Sequence, residues 1–287
     1  MMRAKLRSTR MLLIAGALLG TAAVYVVANA GAGKKAITTP APIIAGFEDV
    51  NFVSQCRFSH RKPDDPIVFP SQPNLSHDHS FFGNFKTDAY STPQSLLGQR
   101  TTCNRTADTA AYWAPTLIVD NKPALTLDLA AYYRRSTYAP VKPFPANFVM
   151  IGGDSHAVEP QSTNVTFWNC SLAGTNPSST IPNCGDQSLR LHVIFPECWD
   201  GNGLDSPNHK AHMAYSVDGV CPADHPVALP QLVLVIRYGV NGSGNVVAAS
   251  GGQYSGHADF VNAWDEAELT GLVDYCLNAL RPCGVQR

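Results

Sequence analysis

The sequence has 287 residues with 21 Lys and Arg against 22 Asp and Glu, so its formal net charge is −1, and charged residues make up only 15% of it. Beyond an N-terminal leader the basic residues nowhere cluster along the chain. A polyanion such as nucleic acid is therefore not an expected partner. The length suits one sizeable domain or two small ones, and we expect a monomer.

The first thirty residues indicate a secretory signal peptide. Four basic residues precede the apolar run MLLIAGALLGTAAVYVV, and Ala28-Asn29-Ala30 offers a small-x-small cleavage site. The run is long for a signal and short for a spanning helix, so an uncleaved anchor, the only expected membrane contact, is the alternative. Residues 31–46 are small and Pro-containing, typical of a linker, and 47–287 are predicted to form one domain. We expect a secreted or envelope-associated protein.

All eight cysteines lie after the leader, at positions 56, 103, 170, 184, 198, 221, 276 and 283. An even number of cysteines in an oxidising compartment favours four disulfides over thiol chemistry. The nearest-neighbour pairs 276–283, 170–184, 198–221 and 56–103 would complete a set. Eight cysteines nevertheless allow 105 connectivities, so the sequence leaves the pairing open.

Short runs rich in β-branched and aromatic residues, separated by turn residues, predict strands at 114–119, 164–168, 189–195, 232–238 and 245–249. No helical crossovers separate them, so we expect a mainly β fold, an antiparallel sandwich resembling a jelly roll with long loops. One helix is predicted near the C-terminus. Apolar residues recur at helical spacing from Ala258 to Leu280, and Asp259 is a candidate N-cap.

Two histidine pairs have spacings that suit a metal site. Residues two apart in extended backbone point the same way, so His77 and His79 can converge on one point. Residues three apart share a face of a helical turn, so His209 and His212 can do the same. Four imidazoles meeting across the fold would suit a divalent metal such as Zn, Mn, Cu or Ni. We predict these four histidines as metal ligands.

Four further residues are candidate catalytic groups. They are His60, Asp205, His257 and Asp259. A carboxylate near a metal can complete its ligand shell or act as base on a bound water. The alternative is structural, because imidazoles in Pro-rich extracellular folds also bridge backbone carbonyls.

Two metal-free chemistries stay open. A mixture of Arg, His and Tyr can remove the proton alpha to a uronate carboxylate, and the candidates are Arg57, His60, His77, Tyr132, Tyr133, Arg134 and Tyr215. The pair Asp64-Asp65 would suit glycoside hydrolysis by two carboxylates. Adjacent residues rarely face one substrate, however, and Asp-Asp-Pro first indicates a turn.

An ordered set of motifs resembles the DUF1996 family. The set comprises Cys56…Ser59-His60, Asp64-Asp65-Pro66-Ile67-Val68, Ser76-His77…His79…Phe81-Phe82-Gly83-Asn84, Ala111-Tyr112-Trp113-Ala114-Pro115, Trp168-Asn169-Cys170, Phe195-Pro196…Cys198-Trp199-Asp200-Gly201, His209…His212-Met213-Ala214-Tyr215, Cys221-Pro222…His225-Pro226-Val227 and His257-Ala258-Asp259-Phe260. The resemblance implies an extracellular protein of fungal or actinobacterial type, associated with cell-wall polysaccharide and in fungi often joined to a WSC carbohydrate-binding module. It implies no reaction.

The sequence departs from the family pattern at the first histidine pair. The family usually has an apolar residue between the two histidines and Asp after the second, whereas this chain has Asp78 between them and Ser80 after them. If that Asp were a base or an orienting partner, Asp78 would have to replace it.

The leading hypothesis is an exported protein that acts on cell-wall or environmental polysaccharide through a His-rich, metal-binding cleft. Whether it would hydrolyse the polymer or eliminate across it is open. The alternative is a polysaccharide-binding or structural envelope protein without catalysis.

Overall fold

The computed structural model describes residues 46–170 and 175–285. The predicted leader therefore lies outside the described residues, as does the predicted linker apart from its last residue. Strands are β1 Asn51–Lys62, β2 His79–Gly83, β3 Ala111–Pro115, β4 Leu117–Val119, β5 Lys122–Pro123, β6 Thr126–Arg134, β7 Val149–Gly153, β8 Thr166–Asn169, β9 Arg190–Ile194, β10 Cys198–Trp199, β11 Met213–Ala214, β12 Val227–Ala228, β13 Gln231–Tyr238, β14 Val246–Ala248, β15 His257–Val261 and β16 Gly284–Val285. Helices are α1 Pro93–Leu96, α2 Glu266–Leu272 and a π-helical turn at Val273–Asn278.

The main sheet runs in the order β7-β15-β3-β2-β1-β6-β13-β9-β8 with antiparallel pairing throughout, and β16 joins β1 in parallel. Strand β1 belongs to both halves of this sheet. Its first part pairs with β6 and its last part with β2, and a register shift between Phe58 and His60 separates the two parts. Such a bulge bends a strand. The bend lets one strand take part in both layers of a sandwich.

The main hydrophobic core lies between the two halves. It includes Phe52, Leu129 and Leu234 from the β6 half and Phe82 and Phe260 from the β2 half. Alternate residues of each strand face this core, and the others face outward. The expected mainly β, antiparallel, sandwich-like fold is confirmed, and the described residues belong to one compact unit.

The five predicted strands all fall on observed strands, but the predicted helix start is wrong. Residues 257–261 form β15, which is paired on both sides by β3 and β7. The helix begins only at Glu266, where the Asp265 side chain accepts a hydrogen bond from the Glu268 amide at 3.0 Å and caps the first turn.

Four disulfides join Cys56–Cys103, Cys170–Cys184, Cys198–Cys221 and Cys276–Cys283, so the eight cysteines are all paired. This is the nearest-neighbour set. Within the described ranges, no helix is both long enough and apolar enough to cross a membrane.

Candidate functional site

The outer face of the β2 half carries a group of ionisable side chains. In β15, Ala258 and Phe260 point into the main core, so the alternate residues His257 and Asp259 point outward. In β2, Phe82 points inward, and His79 therefore points outward. The extended backbone thus places three ionisable groups of two non-adjacent strands on one face.

The loop from 63 to 78, which joins β1 to β2, adds two more side chains. It supplies Asp65 and His77, and the five residues Asp65, His77, His79, His257 and Asp259 are called the His/Asp cluster below. The loop is fixed by its own carboxylates. Asp65 Oδ1 accepts the amides of Ile67 and Val68, each at 3.0 Å, and Asp64 Oδ1 accepts the amide of Asn74 at 2.9 Å.

Distances within the cluster are short. The ring centroid of His77 lies 4.1 Å from that of His79 and 5.1 Å from that of His257. The ligand atoms of these three histidines lie within 4.8 Å of one another, and so do those of Asp65, His79 and Asp259. His79 is common to both groups. In a tetrahedral shell, ligands at about 2.0–2.2 Å from one ion lie about 3.3–3.6 Å apart, so groups 4.8 Å apart would have to close by up to about 1.5 Å to share an ion.

Backbone carbonyls fix the orientation of two of the rings. Nδ1–H of His79 donates to the carbonyl oxygen of Asp64 at 2.9 Å, and Nδ1–H of His257 donates to that of Ser255 at 2.8 Å. Since Nδ1 carries the proton in each ring, the lone pair is on Nε2. A carbonyl that holds the far nitrogen of an imidazole is the usual support of a metal-binding histidine.

Several ligand atoms in the cluster are buried without a partner. Among the described residues nothing hydrogen-bonds to Nε2 of His77, to Nε2 of His79 or to either carboxylate oxygen of Asp259. Buried polar atoms are nearly always satisfied, and each exception needs an explanation. Such atoms fit a bound cation, because an ion held by His77, His79 and His257, or by Asp65, His79 and Asp259, would satisfy several of them together.

The surroundings suppress charge on the free side chains. Burial lowers the pKa of His77 to about 4 and that of His257 to about 3, and it lowers the pKa of His79 well below its usual value. Burial, assisted by Asp65, raises the pKa of Asp259 well above its usual value. The imidazoles are thus neutral with free lone pairs. A divalent cation would supply the positive charge that stabilises the buried carboxylates in their ionised form.

The segment from 205 to 212 lies at the edge of the cluster. Lys210 Nζ donates to the carbonyl oxygen of Gly153, the residue paired with His257 across β7 and β15. Its positive charge acts on both His257 and Asp259. The ammonium group of Lys210 therefore lies near His257 and Asp259.

The structure divides the eight predicted site residues into two sets. His77, His79, His257 and Asp259 come together in the His/Asp cluster. The other four, His60, Asp205, His209 and His212, lie outside it, so the four-histidine convergence of His77, His79, His209 and His212 does not form. Asp65 was not among the predicted site residues.

Hydrogen bonds explain why His60 and His212 stand apart. Both nitrogens of His212 are occupied, Nδ1 by Ser206 Oγ at 2.9 Å and Nε2 by the carbonyl oxygen of Val149 at 2.9 Å. Both nitrogens of His60 are also occupied, by Ser59 Oγ and the carbonyl oxygen of Thr87, each at 2.8 Å. No lone pair is left for a metal, and each ring fastens a loop to the sheet.

His209 and Asp205 form a pair of their own. His209 Nδ1 lies 2.9 Å from Asp205 Oδ2, and both side chains are partly exposed. The turn that carries them bends too sharply for the regular helical spacing assumed from sequence, since His209 has a left-handed φ of 56°.

The departure from the family pattern falls on the other side of the sheet. Ser80 is buried, and its Oγ lies 3.0 Å from Thr116 Oγ1, so position 80 faces away from His79. Asp78 pairs with Arg61 at 3.9 Å. Neither residue is a ligand group of the His/Asp cluster, although the negative charge of Asp78 acts on His77.

Asp65 had a sequence signal that pointed to a different role. The pair Asp64-Asp65 before Pro66 indicates a turn, and Asp65 does cap such a turn through Oδ1. Its carboxylate also lies in the cluster. A local motif cannot show that a turn-forming carboxylate also meets a distant strand.

Comparison with known proteins gives one match. The model of the family described as "Domain of unknown function (DUF1996)" matches residues 65–264, a region that contains the whole His/Asp cluster. No curated protein and no solved structure matches the chain.

Proposed function

Since the chain belongs to the DUF1996 family, whose description assigns no function, we propose a function from the geometry of the His/Asp cluster. The chain is an exported protein that holds a divalent metal ion in this cluster and uses it to act on a polysaccharide of the cell wall or the surroundings. The observation that carries the proposal is the pair of three-residue groups that share His79, one of three imidazoles and one with two carboxylates, together with four unpartnered buried ligand atoms.

The ligand set decides the class of metal. Imidazole nitrogens with a carboxylate suit Zn, Mn or Cu, whereas Ca and Mg prefer oxygen ligands alone. His77, His79 and His257 would hold the ion, because their ligand atoms lie within 4.8 Å of one another. Asp259, whose Oδ2 lies 3.9 Å from His257 Nε2 and has no hydrogen-bond partner among the described residues, would complete the shell. Asp65 Oδ1 is already committed to two backbone amides, so its carboxylate is held in place as a base.

A divalent ion in such a site supplies Lewis acidity and lowers the pKa of a bound water. The chain provides the rest. Asp65 accepts a proton at its carboxylate, and the Asp64 and Ser255 carbonyls keep two imidazoles aimed inward. Lys210 stands where it can neutralise an anionic group of the substrate near Asp259.

Export is supported by features outside the cluster. The basic leader with its apolar run, and four disulfides in the folded chain, fit an oxidising compartment. The cluster lies on the face of the sheet turned away from the main core, and His77 is its one half-buried member, so a substrate would reach the cluster from the side of His77.

Metal analysis of the purified protein tests the proposal. The chain should carry close to one equivalent of Zn, Mn or Cu, and His77→Ala should lower its affinity for that metal by more than about 100-fold, because removing even an orienting partner costs about 10–100-fold. His209→Ala is the matched control, because His209 lies nearby but outside the cluster, and it should keep the metal.

Absence of metal from the wild-type chain after growth in metal-supplemented medium would overturn the metal site. In a second experiment, the metal-loaded protein is incubated with a panel of polysaccharides. New reducing ends would indicate hydrolysis, and absorbance of unsaturated uronates would indicate elimination. Retention on affinity gels with no product from the metal-loaded protein would instead support a binding protein.

A further inference from the structure

A second polar site lies on the outer face of the other half of the sandwich. Residues that are far apart in sequence come into one row because of strand register. Arg57 of β1 pairs with Asp128 of β6, Asp128 pairs with Arg237 of β13, and Arg237 pairs with Arg190 of β9. Four charged side chains therefore cross four adjacent strands, and we call them the charged row.

The charged row is not balanced. Arg237 binds both carboxylate oxygens of Asp128, because its Nε donates to Oδ1 at 3.1 Å and its Nη2 donates to Oδ2. That pair leaves Arg57 and Arg190 without a carboxylate of their own in the row, a net charge of +2. Like charges on directly opposed strand residues, here Arg190 and Arg237, are destabilising. Such an arrangement is typical of a site that meets an anion.

Arg190 has donor capacity left over. Its terminal nitrogen Nη1 donates to the carbonyl oxygens of Cys170 at 3.0 Å and Ser188 at 3.3 Å. Its buried Nε–H has no partner among the residues that the structure describes. A buried unsatisfied donor is costly. An anionic ligand group would satisfy it.

The charged row forms one wall of a groove of about 580 Å³. The floor contains the apolar side chains of Ala130 and Val235, and the amide side chain of Gln55 lines the same groove. A simple ion needs neither this volume nor an apolar floor. A sugar ring uses both, because its C–H face packs on apolar surface while its hydroxyls take hydrogen bonds.

Spacing across the sheet matches an extended ligand. Neighbouring strands lie about 4.8 Å apart, so Arg57 and Arg237 are separated by about 10 Å and Arg190 lies one strand further. The arginines can thus contact several anionic groups along one extended ligand. Three arginines are too few for the phosphate contacts of nucleic acid, which carries a charge at every step.

We propose that this groove binds an acidic oligosaccharide, with Arg57 and Arg190 contacting its carboxylates and the floor contacting its rings. The groove shares no residue with the His/Asp cluster, so it is independent of the metal site proposed above. It would hold a uronate-bearing polymer on the face of the sandwich away from that cluster.

Calorimetric titration with trigalacturonate, and with its methyl ester as the uncharged counterpart, tests the proposal. Trigalacturonate should bind at least tenfold more tightly than the ester, and added salt should weaken it. Arg57→Gln should weaken trigalacturonate roughly tenfold, as expected for loss of one charge-assisted hydrogen bond. Asp128→Asn, which removes the only negative charge of the row, should instead tighten it several-fold.

The opposite signs of these two changes separate ligand binding from damage to the fold. Arg100→Gln is the control, because Arg100 is exposed and stacks on Phe85 outside the groove, and it should leave the affinity unchanged. His77→Ala should also leave it unchanged, so the outcome does not depend on the metal site. Equal binding of ester and acid, equal binding of inorganic sulfate, or no effect of Arg57→Gln would overturn the proposal.

Discussion

At the scale of single residues, the hydrogen-bond partners of each imidazole separate structural histidines from candidate ligands. His60 and His212 have both nitrogens occupied, whereas Nε2 of His79 has no partner among the described residues. A histidine with both nitrogens occupied holds a loop in place, whereas one with a free nitrogen can still bind a cation. The same reasoning applies to histidines outside the site.

His192 allows a test of how a buried imidazole affects stability. Its Nε2–H donates to Asn169 Oδ1 at 2.9 Å, and its ring stacks on Phe167 with centroids 4.2 Å apart. Burial, followed by the charges of Arg190 and Arg134, lowers its pKa to about 3. Below about pH 6.5, His192 is therefore protonated in the unfolded chain but stays neutral in the folded protein until the pH approaches 3.

We predict that the free energy of unfolding falls as the pH decreases from about 6.5 toward 3, and that His192→Gln makes this fall shallower. Above pH 6.5 both states are neutral, so this residue contributes no slope there. Between pH 6.5 and 5 the wild type should lose about 2 kcal/mol more than the variant. Urea denaturation at each pH measures this.

His156→Gln serves as the control for His192, because the His156 side chain is 94% exposed and should leave the pH dependence unchanged. Parallel curves for wild type and His192→Gln would contradict the burial argument.

The sequence could predict part of the candidate site because some of its geometry is local. Residues two apart on a strand share a face, so His257 and Asp259 point the same way wherever the strand lies. Nothing local specifies that β15 lies near β2, or that the turn at Asp65 folds back over both. The spacing of His209 and His212 did not settle their geometry, because residues three apart share a face only if the backbone there is helical.

At the scale of the elements, strand β2 depends on a glycine at its end. Gly83 has φ +77°, and a Cβ built on it would lie 2.4 Å from the carbonyl oxygen of Ala110. Its amide also donates to Thr102 Oγ1 at 3.0 Å. Here both the backbone conformation and the close approach of Ala110, the residue before β3, require glycine.

We predict that Gly83→Ala lowers the free energy of unfolding by about 3 kcal/mol or more, since left-handed strain and a backbone clash add. Gly98→Ala is the matched control. Gly98 has φ +69° but open space around its Cβ, so it should lose only about 1 kcal/mol from the strain alone. Equal losses at both positions, measured by urea denaturation, would show that the Ala110 contact has no effect.

The error in the predicted helix start also has its cause at this scale. His257–Val261 is buried on both faces, so β15 lacks the polar and apolar alternation that marks a strand with one exposed face. Phe260 and Trp264 happen to be four residues apart, which suggested a helix. The capping side chain of Asp265 was a better local signal for the true start.

At the scale of the whole molecule, strand register produces features that no stretch of sequence contains. The basic residues are scattered along the chain, yet β1, β6, β13 and β9 bring Arg57, Arg237 and Arg190 into one row. The β class was predictable from local runs, whereas the sharing of β1 between both halves follows from long-range pairing alone.

The four bridges act on different lengths of chain, so they should not stabilise equally. Cys56–Cys103 spans a sequence separation of 47 and ties the segment before β3 to β1, whereas Cys276–Cys283 spans only 7 and ties the last helical turn to the strand after it. Closing a longer loop removes more entropy from the unfolded chain.

We predict that replacing Cys56 and Cys103 together by Ala lowers the free energy of unfolding by about 4 kcal/mol, against about 2.5 kcal/mol for Cys276 and Cys283, since these are the loop-closure values for the two separations. Both pairs are replaced by the same residue, so the lost side-chain volume is matched. Urea denaturation of the two variants and the wild type measures the difference. A larger loss for the short loop would mean that native packing around Cys276, and not the entropy of the unfolded chain, determines what each bridge contributes.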